Sequence, residues 1–394
     1  MKKMKKVALF AALVVALAPS ASFAEEGGLE ISGAIDTLIG WQKDDANVAG
    51  NFSCPNGFAT PAGQACNSAA DAGAGTGQLG DLRGVATASR DTFNFYVDTV
   101  EVDLSKTFGE NIRIRADLDF QGPGTGGAGS AGAFALEQGY VTANIPVGNG
   151  LELLVGRFNI PMGVESVDRQ DNIAVSFSNV YRFLRPHNVT GAKLYYAFND
   201  MIDLHVYAVN NLKDTISSAA GTESAFPGAG LRLGFNWGEE GQESSIGLSG
   251  AGSSEVTTHN KHFSFMGDLD VTWAINDSFT LAGEFIYRQD NRFPADGFAG
   301  TKNHKAMAGT LLAAYNFSDA WGGYVRGGWL HDINPPAVYT GTDQQIIDWS
   351  AGFSYQIADS AKLKIEYRGD WSLFAGAATN SLVHGAAAEF AYHF

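Results

Sequence analysis

Residues 112–121 read Ile-Arg-Ile-Arg-Ala-Asp-Leu-Asp-Phe-Gln, so every second side chain is apolar and those between are charged or polar. Because successive side chains of a β-strand point to opposite faces, this period of two predicts a strand with one apolar and one charged face. Residues 30–42 follow the same pattern. The charged face would meet outside water in a soluble sandwich and lumenal water in a membrane barrel. The number and spacing of the strands distinguish these two folds.

Tight turns and long segments alternate along the chain. The tight turns are short sequences rich in Asn, Asp, Glu and Gly, at 108–111, 146–150, 198–200, 237–241, 275–277, 317–319 and 357–359. The long segments hold most of the Pro and the Gly-Ala-Ser clusters, at 43–91, 122–132, 160–187, 211–226, 253–261, 290–302, 332–345 and 372–382. Seven turns and eight loops make fifteen connections, which join sixteen strands and place both termini on the short-turn side. This segregation of loop lengths by side is typical of bacterial outer-membrane barrels.

The sequence therefore predicts an all-β fold, a transmembrane antiparallel β-barrel of 16 strands with short periplasmic turns and long extracellular loops. The predicted strands are 29–42, 92–106, 111–122, 133–145, 151–159, 188–198, 201–210, 227–237, 243–252, 262–275, 278–289, 303–317, 320–331, 346–357, 361–371 and 383–394. Tryptophans fall near strand ends, where their rings would lie at the membrane interfaces: Trp41, Trp237, Trp273, Trp321 and Trp371. The chain stops inside a strand, and we expect the barrel-assembly machinery to bind the terminal Phe394.

The composition excludes several other classes of protein. Of 394 residues, 48 are Gly without a three-residue period, which excludes collagen, and 12% are aromatic, which excludes a disordered chain. An isoelectric point of about 4.8 offers no basic surface for nucleic acid. The mean hydropathy of −0.07 fits strands of which one face lies in water.

Residues 1–24 have the features of a cleaved secretory signal peptide, with four lysines, an apolar run and small residues before Glu25. The apolar run at 7–17 is too short to cross a membrane, which takes about 20 residues. Because this segment carries four lysines and no acidic residue, 22 basic and 42 acidic residues remain, a net charge of −20. That charge would favour cations if it lined a pore. Export to an oxidising compartment predicts a disulfide between Cys54 and Cys66 in the loop 43–91.

Three stretches carry a family likeness: Leu-Glu-Gln-Gly-Tyr-Val at 136–141, Pro-Val-Gly-Asn-Gly-Leu at 146–151 and Gly-Arg-Phe-Asn-Ile-Pro-Met-Gly at 156–163. They resemble the OmpL-like family of β-barrel porins, and the third is distantly similar to the phosphate-selective porins. The resemblance is best over 92–210 and becomes a generic strand pattern beyond. It implies a general porin of a Gram-negative outer membrane, either trimeric or monomeric.

The third long loop, 160–187, is predicted to fold into the lumen and narrow it, as the third loop does in sixteen-stranded general porins. A helix at 172–184 with Asp171 as its N-cap is expected within it. Charges of both signs would then form a pore constriction that orients and screens solutes. The candidate residues are Glu165, Asp168, Arg169, Asp171, Arg182 and Arg185. The alternative is a surface loop whose charges are solvated.

Charged residues on the inward face of the strands are predicted to form the pore wall. They are Glu101, Asp103, Arg113, Arg115, Asp117, Asp119, Lys364, Glu366 and Arg368. Glu101 and Asp103 lie one tight turn from Arg113 and Arg115, so we expect these pairs to meet across a hairpin. The alternative is that most of these charges form structural salt bridges on a wet wall.

The sequence favours a channel over an enzyme. Neither a G-x-S-x-G elbow nor a phosphate-binding loop occurs. His259 and His262 lack a third ligand within sequence reach, so no metal, cofactor or catalytic residue is predicted. The predicted function is passive diffusion of small hydrophilic solutes and ions through an outer-membrane porin, with lipids and lipopolysaccharide as neighbours and a homotrimer as a candidate assembly. The alternative is a non-transporting surface barrel, either an adhesin or receptor or a sheath for a partner protein.

Overall fold

The computed structural model describes residues 28–44, 91–121, 134–212, 226–239, 242–257, 260–291, 303–333, 343–374 and 381–394. Within them, sixteen strands form a closed barrel in which sequence neighbours pair and the last strand pairs with the first. The strands are β1 Glu30–Asp44, β2 Asp91–Phe108, β3 Ile112–Gln121, β4 Phe134–Ile145, β5 Leu151–Asn159, β6 Asn188–Asn199, β7 Ile202–Val209, β8 Phe226–Trp237, β9 Ser244–Thr257, β10 Asn260–Asn276, β11 Phe279–Asn291, β12 His304–Asn316, β13 Trp321–Ile333, β14 Gln344–Ala358, β15 Ala361–Phe374 and β16 Ser381–His393. The predicted antiparallel barrel of sixteen strands is confirmed.

One segment predicted to be a long loop, 253–261, lies mostly within two strands. β9 continues to Thr257 and β10 begins at Asn260, so the segment 253–261 is mostly strand and the prediction was wrong there. The small polar residues that look like a loop extend the ladder, since Ser253 pairs with Ser264 and Ser254 with Phe263. The predicted signal peptide lies outside the described residues, as does the larger part of the loop 43–91 with Cys54 and Cys66.

The two faces of the strands differ as the alternation predicts. In β3, the apolar Ile114 and Phe120 are 43% and 45% exposed, whereas the inward Asp117 is 1% exposed. β14 shows the same contrast, since its Trp349 and Phe353 are exposed and its Asp348 is buried. The outward face is therefore apolar and suited to lipid, and the inward face carries the charges.

The barrel closes at the last residue of the chain. The backbone N–H of Phe394 donates to the carbonyl of Gly33 at 3.0 Å, and the N–H of Gly33 donates to the carbonyl of Phe394 at 3.1 Å. Next to this pair, Ala34 of β1 lies opposite His393 of β16. The C-terminal strand thus leaves no unpaired sheet edge.

Two short helical segments lie between β5 and β6. A 3-10 turn spans Arg169–Asp171, and α1 spans Asn179–Phe183. Only Asn179–Phe183 of the predicted helix at 172–184 is helical, and its N-cap is Ser178, which accepts from Tyr181 N, and not the exposed Asp171. Before Ser178, the backbone N–H groups of Val175 and Ser176 donate to Tyr324 and Glu366 of the barrel wall and not to carbonyls of a helix, so contacts with the wall outweigh local helix propensity. Within the described ranges, no helix is long and apolar enough to cross a membrane.

Gly156, near the end of β5, permits close pairing with β4. Its φ is +145°, and a Cβ at this position would clash with the carbonyl oxygen of Gly139 and lie 2.6 Å from Tyr140 Cα. We expect Gly156→Ala to destabilise the barrel by about 1–3 kcal/mol, because the strain falls on backbone that cannot move aside. The midpoint of heat-induced loss of the compact, fast-migrating species on detergent gels measures this. The control is Gly250→Ala, where a Cβ would have no neighbour within 4 Å; an equal shift for both variants would contradict the prediction.

Candidate functional site

Residues 160–187, which we call the inner loop, cross the lumen. The inner loop leaves β5 and returns to β6, yet it contacts β1, β2 and β11–β15. Of these, β11–β15 lie on the opposite side of the closed barrel from β5 and β6, and we call them the far wall, whereas β1 and β2 lie about midway between the two sides. Residues 174–187 of the inner loop are all buried. The loop therefore packs against the inward side chains of the far wall.

Three cations of the far wall hold backbone carbonyls of the inner loop. Lys364 Nζ donates to the carbonyls of Asn172 at 2.8 Å, Gln170 at 3.2 Å and Arg169 at 3.3 Å. Arg368 donates to Phe177 O at 2.5 Å, and Arg326 donates to Ser176 O at 2.5 Å. Charged donors to carbonyls are stronger than neutral ones, so these bonds fix the path of a loop with little helix of its own.

Carboxylates of the far wall bind the donors of the inner loop. Glu366 accepts from the backbone N–H and from the hydroxyl of Ser176, and Asp348 accepts from Asn179 Nδ2 at 2.7 Å. Glu284 of β11 accepts from Val164 N at 3.0 Å. The predicted pore-wall residues Lys364, Glu366 and Arg368 are 1%, 2% and 0% exposed. They point inward as predicted, but they anchor the loop instead of lining open water.

On the β1–β2 side, two residues of the 3-10 turn bind the wall. Arg169 Nε lies 2.8 Å from Asp98 Oδ2 and 3.8 Å from Asp36 Oδ2, and its Nη1 donates to Val175 O at 2.8 Å. Gln170 Nε2 donates to Glu101 Oε2 at 2.9 Å. The inner loop is thus held by β1 and β2 as well as by the far wall.

Apolar and aromatic packing fills the space around α1. Val180, Phe183 and Leu184 belong to one buried cluster with inward residues of β5, β7 and β9–β14. Tyr181 stacks on Phe177 at 4.0 Å and on His187 at 3.7 Å between ring centroids, and the Arg185 guanidinium lies 4.5 Å from the Tyr181 ring. The second half of the loop is therefore a packed unit.

The six predicted constriction residues divide into two groups. Arg169, Arg182 and Arg185 are buried and make contacts within the loop or with the wall. Glu165 accepts from Ser178 N and pairs with Arg326 at 3.0 Å. Asp168 is partly exposed and Asp171 is exposed. The structure thus buries the three arginines in contacts with the protein and leaves Asp171 exposed and Asp168 partly exposed, and the role of these residues in a constriction stays a prediction.

A cavity of about 380 Å³ adjoins the first half of the inner loop. It is lined by Gly163, Glu165, Ser166, Arg185, His187 and Arg232, among others. Arg232 of β8 is itself paired with Asp270 of β10 at 2.5 Å. The lining combines apolar side chains of the inner loop with a few charged side chains, and these charged groups could bind a small hydrophilic solute.

The expected pairing across the β2–β3 hairpin is only partly found. The three-residue turn sets Glu101 opposite Asp119 and Asp103 opposite Asp117. Arg115 therefore reaches Asp103 at 3.6 Å and binds Asp117 at 2.7 Å, whereas Glu101 binds Gln170. Two other pore-wall residues bind neutral groups instead: Arg113 donates to Ser105 Oγ at 3.2 Å, and Asp119 accepts from Thr99 Oγ1.

Several residues of the site were missed from the sequence. Asp36, Asp98, Glu284 and Arg326 contact the inner loop directly. Tyr324 binds it too, accepting from Val175 N at 3.3 Å and donating to Glu366. Alternation marks each of these as an inward position, but period two carries no signal for which inward residues meet a loop.

The sequence of this chain matches one known protein family, and its fold is similar to those of several solved outer-membrane proteins. The sequence profile described as "Putative beta-barrel porin-2, OmpL-like" matches residues 28–390. The fold resembles the outer membrane channel DcaP of Acinetobacter baumannii, with a TM-score of 0.64 and 12% identity over 96% of this chain and 100% of that one. It also resembles an anion-selective porin from Comamonas acidovorans (TM-score 0.58, 12% identity, 94% and 100% covered) and the trimer form of OmpT from Vibrio cholerae (0.55, 10%, 94% and 100%). None of the curated protein sequences matches this chain.

Proposed function

The chain belongs to the family described as "Putative beta-barrel porin-2, OmpL-like", and from this premise we propose that the inner loop sets the size and charge preference of its channel. The protein is an outer-membrane porin, a β-barrel channel for the diffusion of solutes. The observation that carries the proposal is the passage of the inner loop across a barrel that would otherwise be wide enough for an aqueous lumen. Solutes then pass between this loop and the wall it leaves free.

The charge of this passage favours cations. In the inner loop Asp171 is exposed and Asp168 is half-buried, while its three arginines are buried. Asp168 faces Glu101 and Glu137 of the barrel wall, and their carboxylate oxygens lie within 4.8 Å of one another. A small group of carboxylates at a narrow point attracts cations and repels anions. The solutes proposed are therefore small hydrophilic molecules and ions, with cations preferred.

Cation preference is expected to rise with pH. Burial raises the pKa of Asp168 well above its usual range, and the neighbouring Glu137 and Asp171 add to the rise. An acid with a raised pKa is neutral over a window where an ordinary aspartate is charged, so the charge of the passage appears only as pH climbs through that window. The reversal potential of single channels in a KCl gradient without divalent cations, recorded from pH 4 to pH 9, measures this.

The variants for this experiment separate the loop from the rest of the barrel. Asp168→Asn with Asp171→Asn should lower the cation preference and remove the part of the pH dependence that Asp168 contributes. Asp359→Asn is the control, because Asp359 lies exposed in the short turn between β14 and β15. If the double variant retains the reversal potentials of the unaltered protein at every pH, the inner loop is not the selective passage.

Four further proposals concern the form in which the protein works. Residues 1–24 are removed on export, which the intact mass of the purified protein tests. The terminal Phe394 serves the assembly machinery, and the mature barrel lies among outer-membrane lipids and lipopolysaccharide. A homotrimer is supported by the fold shared with a porin solved in a trimer form. A channel of this kind needs no catalytic group, and we propose none; the adhesin alternative rests on the loop 43–91, mostly outside the described residues.

A further inference from the structure

Five carboxylates gather where the inner loop meets β2, β3 and β4. We call Glu101, Asp103, Asp117, Glu137 and Asp168 the acidic pocket. The carboxylate oxygens of Glu101, Glu137 and Asp168 lie within 4.8 Å of one another, and so do those of Glu101, Asp103 and Asp117. Glu101 belongs to both sets. Three strands and a loop thus direct like charges to one point.

A bulge in β4 contributes one member of the acidic pocket. The register between β3 and β4 shifts so that Asp117 faces Gln138 and Leu118 faces Leu136, which leaves Glu137 as an extra residue. Bulges re-aim side chains and are retained where that direction matters. Here the bulge brings Glu137 to Glu101 and Asp168.

Two arginines lie beside the acidic pocket, and one of them, Arg157, donates to the backbone carbonyl of Glu137 at 2.8 Å. Arg115 binds Asp117 at 2.7 Å and reaches Asp103 at 3.6 Å. The carboxylate of Asp168 lies within 4.8 Å of those of Glu101 and Glu137. Carboxylates this close need protons or a cation between them.

Gln170 supplies an independent sign that a ligand belongs here. Its side chain is 5% exposed, and its Nε2 donates to Glu101 Oε2 at 2.9 Å. Its Oε1 is buried and has no hydrogen-bond partner, as is also true of Glu137 Oε1. In this orientation the amide nitrogen faces Glu101 and the amide oxygen is left without a donor. A buried acceptor oxygen beside a carboxylate group, with no donor, is an available ligand for a metal ion.

We propose that Glu101, Glu137 and Asp168, with the Oε1 of Gln170, bind a divalent cation, and that calcium is preferred over magnesium. All the donors are oxygens, as hard cations require. Calcium takes six to eight oxygen ligands in flexible geometry, whereas magnesium demands a near-ideal octahedron. A crowded pocket of carboxylates from separate elements fits the first requirement better. The bound ion would tie the inner loop to β2 and β4.

The sequence predicted no metal site because its donors have no common spacing. Glu101 and Glu137 come from different strands, and Asp168 and Gln170 come from the inner loop. Only the barrel register and the path of the loop bring them together.

Calorimetric titration of CaCl₂ into the folded protein, refolded free of lipopolysaccharide and stripped with EGTA, tests the proposal. We expect saturable binding that Glu137→Gln with Asp168→Asn abolishes, weaker binding of MgCl₂, and a higher heat-unfolding midpoint with calcium than with EGTA. Asp203→Asn is the matched control, since Asp203 is an inward carboxylate of β7 bound by Asn236 at 2.6 Å, away from the pocket. This control should bind calcium as the unaltered protein does.

Three results would overturn the proposal: no saturable calcium binding by the unaltered protein, undiminished binding by the double variant, or tighter binding of magnesium. If the double variant fails to fold, the single change Asp168→Asn, which lies on the loop, must weaken binding at least tenfold. The readout is binding, so it is separate from the channel itself. A protein that conducts ions but does not bind calcium contradicts this inference and leaves the proposed function intact.

Discussion

Replacing residues 164–184 by a short Gly-Ser linker is expected to increase the single-channel conductance severalfold. The inner loop crosses the lumen, and its removal leaves a sixteen-stranded barrel with an open aqueous interior. The linker is geometrically reasonable because the backbone N–H of Ile160 donates to the carbonyl of His187 at 2.8 Å, so the two ends of the inner loop are neighbours. Planar-bilayer recording of the refolded protein measures the conductance step.

The deletion should also broaden selectivity, since Asp168 and Asp171 are removed together with the obstruction. Gly250→Ala is the control, because it alters the barrel at an open position and leaves the inner loop in place. A deleted barrel that folds, as judged by its compact gel species, but conducts no more than the unaltered protein would contradict this role. Solutes would then be limited by another segment.

The barrel itself could be predicted from local rules. The alternation at 112–121 gives the inward and outward faces of β3, and Asp117 at 1% exposure beside Ile114 at 43% is its direct outcome. Turns and loops of unequal length supply the strand count. Both signals act over a few residues, so one sequence is enough to read them.

The site could not be predicted to the same depth, because it depends on contacts between distant parts of the chain. Lys364 binds carbonyls 192 to 195 positions away, in a loop whose path no local pattern records. An inward charge is the same in sequence whether it faces water or a folded loop. The helix predicted at 172–184 is confined to Asn179–Phe183 for this reason, since Tyr324 and Glu366 of the wall accept from the backbone N–H groups of Val175 and Ser176.

The hairpin between β2 and β3 marks an intermediate case. The charges were found, but their partners depended on the register, and a turn of three residues sets Asp103 opposite Asp117 and not opposite an arginine. A register one step different would change every pair, because the side chains alternate with a period of two. The acidic pocket exists because of this register.

Arg368→Met is expected to cost about 3–5 kcal/mol of folding stability, the largest loss that any single side chain of the far wall should give. Arg368 is 0% exposed, and its guanidinium lies 2.9 Å from Asp370 and 3.7 Å from Asp348 while it also donates to Phe177 O. Methionine fills much of the volume but leaves Asp370 and the Phe177 carbonyl buried without this charged donor, while Asp348 keeps only a neutral bond from Asn179 against its charge. Urea-induced unfolding in detergent micelles, followed by tryptophan fluorescence, measures the loss.

Two further variants decide whether the loss comes from uncompensated charge. Arg113→Met is the control, because Arg113 is an exposed inward arginine bound to Ser105, and its removal should cost less than about 1 kcal/mol. Adding Asp348→Asn and Asp370→Asn to Arg368→Met should recover part of the stability, since the neutral amides no longer bury unpaired charge. If Arg368→Met and Arg113→Met lower the stability equally, or if the amides bring no recovery, the buried ion pairs do not hold the inner loop to the far wall.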